Sequence, residues 1–77
     1  MLDRYVVQMG VFKNAASAEQ FRQTFVHAGF ETRVVNISMN HDRAYSVQVG
    51  PFTSKNEAML AQQALQKKSA NGIIRKL

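Results

Sequence analysis

Residues 5–12 read Tyr5-Val6-Val7-Gln8-Met9-Gly10-Val11-Phe12, and residues 45–52 read Tyr45-Ser46-Val47-Gln48-Val49-Gly50-Pro51-Phe52. The second phrase restates the first at an offset of 40 residues (8 to 48), with Tyr, Val, Gln, Gly and Phe kept in place. Both phrases are rich in β-branched and aromatic residues, which suit a half-buried pleated surface. Both also carry a glutamine in the middle of the run. Identity over so short a stretch is weak support for a duplication. The segments directly after each phrase decide it.

After the first phrase, Ala18, Phe21, Phe25 and Ala28 step by three, four and three, which is one face of a helix. Asn14 stands where an N-cap acceptor is wanted, and Gly29 where a C′ glycine is wanted. After the second phrase, Ala58, Ala61 and Leu65 repeat the helical spacing. Ser54-Lys55-Asn56-Glu57 reads as a capping box, in which the serine accepts from the Glu57 amide while the glutamate reaches back. Asn14 and Ser54 differ by the same offset as the phrases, as do Ala18 and Ala58, so local structure is duplicated along with letters. Between the halves, Phe30–Ser38 reads as a strand and Met39-Asn40-His41-Asp42 as a turn into the second phrase. Gly72–Leu77 reads as a short last strand.

The order is therefore β-α-β-β-α-β. Two β-α-β halves joined by a hairpin predict an α+β, split β-α-β sandwich of the ferredoxin-like or RNP-like kind. Right-handed crossovers leave room for one strand inside each unit. The predicted sheet is antiparallel, of spatial order 4-1-3-2, with both helices on one face. The two quoted phrases become its neighbouring central strands, related by a pseudo-twofold axis.

Alternation along the phrases assigns the faces. Tyr45, Val47 and Val49 should face the helices and leave Ser46 and Gln48 on the open side; Tyr5, Val7 and Met9 should point inward, with Val6 and Gln8 outward. An unpartnered buried amide costs a few kcal/mol, which favours the same assignment. Gln8 and Gln48 are thus expected to project from the middle of a bare sheet. In the strand before the turn, Val34 is placed inward, so that Arg33, Val35 and Ile37 line the open face, with Arg75 joining from the last strand. Phe12, Phe52, Phe21, Phe25 and Leu65 are expected in the core, and Tyr5 and Tyr45 at its edge. Gly10 and Gly50 could bring the backbone close to a ligand, but strand-ending turns that need positive φ explain them at least as well.

The 77 residues fit one domain, with a thin core, since a chain this short buries only about 60% of its unfolded surface. There is no cysteine, and no apolar run approaches the roughly 20 residues of a membrane span. Met1-Leu2-Asp3-Arg4 does not open a signal peptide. The net charge of +5 suits anionic partners. His27 and His41 have no third ligand at recognisable spacing, and Asp3, Glu19, Glu31, Asp42 and Glu57 are scattered without an acid–base pair. No metal site, cofactor or catalytic constellation is expected.

Taken in order, the aromatic-x-Val-Gln-x-Gly-x-Phe phrase at 5–12, the helix ending Ala28-Gly29-Phe30 and the closing Val47-Gln48-Val49-Gly50-Pro51-Phe52 resemble the SPOR domain family over essentially the whole chain. Two departures are Val11, where many members carry serine, and Gln48, where many carry arginine; they weaken or retune the contacts at those positions. The resemblance implies a bacterial, non-catalytic module that binds peptidoglycan, preferring glycan strands stripped of their stem peptides. It places the ligand on the open sheet face, with Gln8 matching the family's glutamine. It also implies that residues 1–77 form a single monomeric domain, itself not inserted in a membrane, within a larger protein of a kind that can carry a membrane anchor, facing the periplasm or cell envelope at the division septum. On this reading the ligand set is Gln8, Val11, Arg33, Val35, Ile37, Ser46, Gln48 and Arg75, with Arg33, Arg43 or Arg75 pairing lactyl carboxylates. The same open face would serve an RNA-binding module of the RRM kind or a protein-docking domain. The outward central positions Val6, Gln8, Ser46 and Gln48 include no aromatic on which a base could stack, so no nucleic acid is expected.

Overall fold

The computed structural model describes residues 3–77; Met1 and Leu2, the first half of the stretch weighed as a signal peptide, lie outside the described residues. The elements are β1 (Tyr5–Phe12), α1 (Ala15–His27), β2 (Thr32–Met39), β3 (Asp42–Phe52), α2 (Lys55–Lys67) and β4 (Ile73–Lys76). Asn14 starts α1 by accepting at Oδ1 from the amides of Ala16 at 2.8 Å and Ser17 at 3.1 Å, which pairs N–H groups that a helix start leaves without partners. Ser54 starts α2 by accepting from the Glu57 amide at 3.2 Å. The Glu57 carboxylate reaches back one residue further than a capping box requires, accepting from the Thr53 amide at 3.3 Å and the Thr53 hydroxyl at 3.1 Å.

Both helices end in the same closure. At the end of α1, the Gly29 amide donates to the Val26 carbonyl at 3.0 Å and the Phe30 amide to the Phe25 carbonyl at 2.9 Å, with Gly29 at φ +94°. This is the Schellman arrangement, which needs a left-handed residue at C′. At the end of α2, Ser69 donates to Gln66 at 2.9 Å and Ala70 to Leu65 at 3.0 Å, with Ser69 at φ +62°. Ser69 therefore stands where Gly29 stands in the first half, a serine in a conformation that favours glycine.

The sheet order is β2-β3-β1-β4, the predicted 4-1-3-2 read from the opposite edge, and every pairing is antiparallel. Ala18 and Phe25 of α1 and Ala58 and Leu65 of α2 pack with Val7, Val47 and Val49 into one core, against which Tyr5, Phe12, Val34, Tyr45, Phe52 and Ile74 are half-buried. Phe21 bridges Phe12 and Phe25, with ring centroids at 5.2 and 4.9 Å in tilted and edge-on geometry. The shortest extent of the backbone is 16 Å, which holds the sheet and a single helix layer. The other sheet face is left open.

The pleat does not alternate unbroken. Gln8 pairs with Gln48, but Gly10 pairs with Val47, so Met9 is an extra residue on β1. Strict alternation would put Phe12 on the face of Gln8. The bulge instead brings Phe12 opposite Tyr45 and onto the core, and Val11 opposite Ser46 and onto the open face. A second register shift lies between Tyr5↔Phe52 and Val7↔Val49, with the extra residue on β3. Gly50 sits there at φ +124°, and a Cβ on it would meet the Phe52 ring at 3.1 Å and the Tyr5 carbonyl at 3.2 Å. Each phrase thus holds one extra residue between its glutamine and its phenylalanine, so that the glutamine faces out and the phenylalanine faces the core. Gly10 keeps an ordinary φ, contrary to expectation; the Phe12 and Phe21 rings, each 3.2 Å from where its Cβ would sit, account for the glycine.

Candidate functional site: the open sheet face

The ladders set the open face out in rows. Arg33, Gln48, Gln8 and Ile73 are successive register partners across β2, β3, β1 and β4. Val35, Ser46 and Val11 form the next row, Ile37 and Ala44 the one beyond, and Val6 and Arg75 a row on the other side. Val34 packs on the core, which fixes the phase of β2 as expected. All eight residues expected at a site thus stand on one face.

Ile73 and Ala44, not named among the expected site residues, join them. Alternation puts both there once Arg75 and Ser46 face out; Ile74 packs on the core and Ile73 is exposed. Arg43 does not join. It pairs with Ser38 in the phase of Tyr45 and Val47, so it belongs to the helix side of the sheet. Arg33 and Arg75 remain as the cations of the strand rows, at opposite rims.

The face is not bare. Ser46 is 0% exposed, Gln48 8% and Val6 0%. Ser46 stands between the bulkier Val35 and Val11, and Gln48 between the longer Arg33 and its equal Gln8. They form the floor of a shallow trough. Gln8, Val11, Val35 and Ile37 are half-buried above it, and Arg33, Ile73 and Arg75 are exposed at its edges.

The floor is tied by a one-way chain of hydrogen bonds. Gln48 Nε2 donates to Ser46 Oγ at 3.2 Å, and Ser46 Oγ donates to Gln8 Oε1 at 3.3 Å. Gln48 Oε1 is buried and has no partner among the described residues. The pseudo-twofold explains the gap. The counterpart of Ser46 in the first half, 40 positions earlier, is Val6, which has no hydroxyl to give.

The perturbed titrating pair lies away from this face, on α1. The Arg22 guanidinium, bonded to both Glu19 oxygens at 2.9 and 3.1 Å, and the Gln23 amide hold the Glu19 carboxyl below its usual range. Arg22 Nη1 also donates to the Thr32 carbonyl at 3.2 Å, which ties α1 to the start of β2. That role is structural. Among the described residues, no three His, Asp or Glu side chains are grouped to hold a metal ion. The trough offers amide and hydroxyl groups, aliphatic surface and two guanidinium groups, and no aromatic ring.

A family model described as the SPOR domain matches residues 2–76. The solution structure of the peptidoglycan binding domain of the B. subtilis cell wall lytic enzyme CwlC is similar, with a TM-score of 0.82 and 26% identity over 100% of this chain and 92% of that one. The SPOR domain of RlpA from Pseudomonas aeruginosa gives a TM-score of 0.76 at 19% identity, covering 94% of this chain and 96% of its own. The SPOR protein DedD gives 0.73 at 23% identity, covering 96% of this chain and 39% of its own. The last two resemblances concern the fold. No curated protein sequence matches the chain significantly.

Proposed function

The chain belongs to the SPOR domain family, and from that membership and the trough on its open face we propose that it binds peptidoglycan there without catalysing a reaction. The observation that carries this reading is the directly paired Gln8 and Gln48 in a trough walled by Val11, Val35 and Ile37. Sugar recognition needs groups that offer donor and acceptor together, which a primary amide does. It also needs aliphatic surface against the apolar faces of the rings.

The ligand on this reading is a glycan strand lacking stem peptides. Removing the peptide leaves a free lactyl carboxylate on each muramic residue, and Arg33 and Arg75 stand at opposite rims to pair with such charges. Their strands are three spacings apart, roughly 14 Å at about 4.8 Å per strand. A guanidinium is suited to a carboxylate by its planar fork of donors. The domain then acts as a monomeric anchor that carries a larger, envelope-facing parent protein to the division septum, where stripped strands accumulate. Bases have no ring to stack on in the trough, so RNA gains no such support.

The test is a heteronuclear NMR titration of the domain with amidase-released glycan strands. Shift changes should concentrate on Gln8, Val11, Arg33, Val35, Ser46, Gln48 and Arg75. Changes confined to α1 and α2 would move the site to the other face and overturn the proposal.

A further inference from the structure

Resting on that reading, we propose that Ser46 serves the site through Gln8 rather than by touching the glycan. Its hydroxyl holds the Gln8 oxygen toward the floor of the trough, and the Gln8 amide nitrogen is then the donor offered to an oxygen of the ligand. Ser46 is 0% exposed, so a ligand lying in the trough does not reach it directly. Its hydroxyl touches both glutamines: it accepts from Gln48 Nε2 at 3.2 Å and donates to Gln8 Oε1 at 3.3 Å. Gln8 stands half-buried above it on the neighbouring strand.

The buried glutamine sets the direction of the chain. Ser46 has one hydroxyl proton, so it donates to one glutamine and accepts from the other. Gln48, 8% exposed, gives one N–H to Ser46 and keeps its Oε1 without a partner among the described residues. Run the other way, the chain would bond that oxygen and leave the Gln48 nitrogen, with two protons, buried and unpaired. Among main-chain groups a buried N–H without a partner is rarer than an underused carbonyl oxygen, and the same preference holds the chain in the direction seen.

The consequence appears at the other end. The oxygen and nitrogen of Gln8 belong to one planar group, so an oxygen held toward Ser46 turns the nitrogen away from it. Gln48 Oε1 is the one buried side-chain polar atom without a partner among the described residues; the Gln8 nitrogen, which makes no side-chain hydrogen bond to them either, therefore reaches solvent. Gln8 presents N–H donors, and the ligand group that meets it is an accepting oxygen: a carbonyl, carboxylate or hydroxyl oxygen of the glycan. The 3.3 Å separation exceeds the about 2.5–3.0 Å usual for O–H···O, so the hydroxyl biases the amide rather than locking it. Its contribution to affinity is accordingly modest.

The experiment titrates amidase-released glycan strands into the parent domain and three variants, at a salt concentration that screens added charge and a temperature at which each is folded. Ser46→Ala should bind about threefold to tenfold more weakly, the contribution of one hydrogen bond. Ser46→Thr keeps the hydroxyl and should recover most of that loss. Gln8→Glu keeps the acceptor and removes the donor, and should bind about tenfold or more weakly. Nuclear spin relaxation of the side-chain amides reads the positioning without ligand: the Gln8 Nε2 group should be more ordered than that of the exposed Gln20, and should approach it in Ser46→Ala. A serine with a structural role alone would lower the melting temperature on removal and move neither quantity. Four results each overturn the positioning role while leaving peptidoglycan binding standing: Ser46→Ala binding like the parent, folded Ser46→Thr binding no better than Ser46→Ala, Gln8→Glu binding like the parent, or a parent Gln8 amide as mobile as Gln20. Failure of the parent to bind the strands overturns both readings.

Discussion

Gln8 and Gln48 are direct register partners on the central strands β1 and β3, although 40 positions separate them in the chain. The pairing puts the pseudo-twofold axis of the sandwich through the middle of the open face. The two halves are unequal beside that axis, because Ser46 lies next to Gln48 and Val6 next to Gln8. Ser46 is the shared partner of both amides.

Ser46→Ala should therefore cost more than removal of a surface hydroxyl. Gln48 Nε2 loses its acceptor inside the fold, for about 1–3 kcal/mol, while the half-buried Gln8 can turn to water. Urea unfolding should show a lower midpoint with an unchanged slope. An unchanged midpoint would mean that the floor is wetter than its burial indicates.

Met9 sets the phase of the second half of β1, and truncations on either side of the change separate the two faces. Phe12→Ala should destabilise by about 2–3 kcal/mol, since its ring packs on Phe21 and the core. Val11→Ala, next door on the open face, should cost less than about 1 kcal/mol. Thermal melts of the two variants check this, and equal losses would contradict the bulge.

Ser69 occupies the left-handed C′ position that Gly29 fills in the first half. Ser69→Gly should stabilise by about 1 kcal/mol, by relieving the side chain of that conformation. For a domain of this size that is a rise of roughly 4–8 °C in Tm. Gly29→Ala should move Tm in the opposite direction. A fall on Ser69→Gly would show that the serine side chain contributes more than its backbone conformation costs.

Glu19 gives a small, signed pH dependence. Its folded pKa lies below the ordinary glutamate value, so its contribution to stability is fully present above that ordinary value and is lost as pH falls through the folded pKa. Thermal melts of parent and Glu19→Gln across acid pH should differ most above about pH 5 and converge below the folded pKa. The pair is exposed, so the gap should be small and should narrow with salt.

Much of the fold was legible in the sequence, for reasons that can be named. Asn14, Ser54 and Gly29 are residue types whose side chain or missing side chain does one local job, so the helix ends could be placed from them. The alternation of Tyr45, Val47 and Val49 gave the face of β3; alternation alone left β2 open between Val34 and the Val35/Ile37 pair, and the tolerance of Thr32 and Asn36 near the edge favoured Val34 inward, where it packs. The bulges were not legible. An extra residue at Met9 leaves no residue-type signal, and its effect shows only in the even spacing from Gln8 to Phe12, which alternation alone would put on one face. Ser69 was not legible at its C′ position because nothing in a serine advertises positive φ. The burial of Ser46 and Gln48 was hidden because it depends on the lengths of partners on neighbouring strands, Arg33, Val35 and Val11. Periodicity along one strand carries none of that.

Binding of stripped glycan strands on the open face is tested most simply by co-sedimentation. The purified domain is spun with sacculi before and after amidase digestion, beside Gln8→Ala. The domain should pellet more strongly after digestion, and Gln8→Ala should stay in the supernatant while melting within a few degrees of the parent. A domain that fails to pellet with digested sacculi, or a Gln8→Ala variant that pellets as well as the parent, would contradict the proposed site.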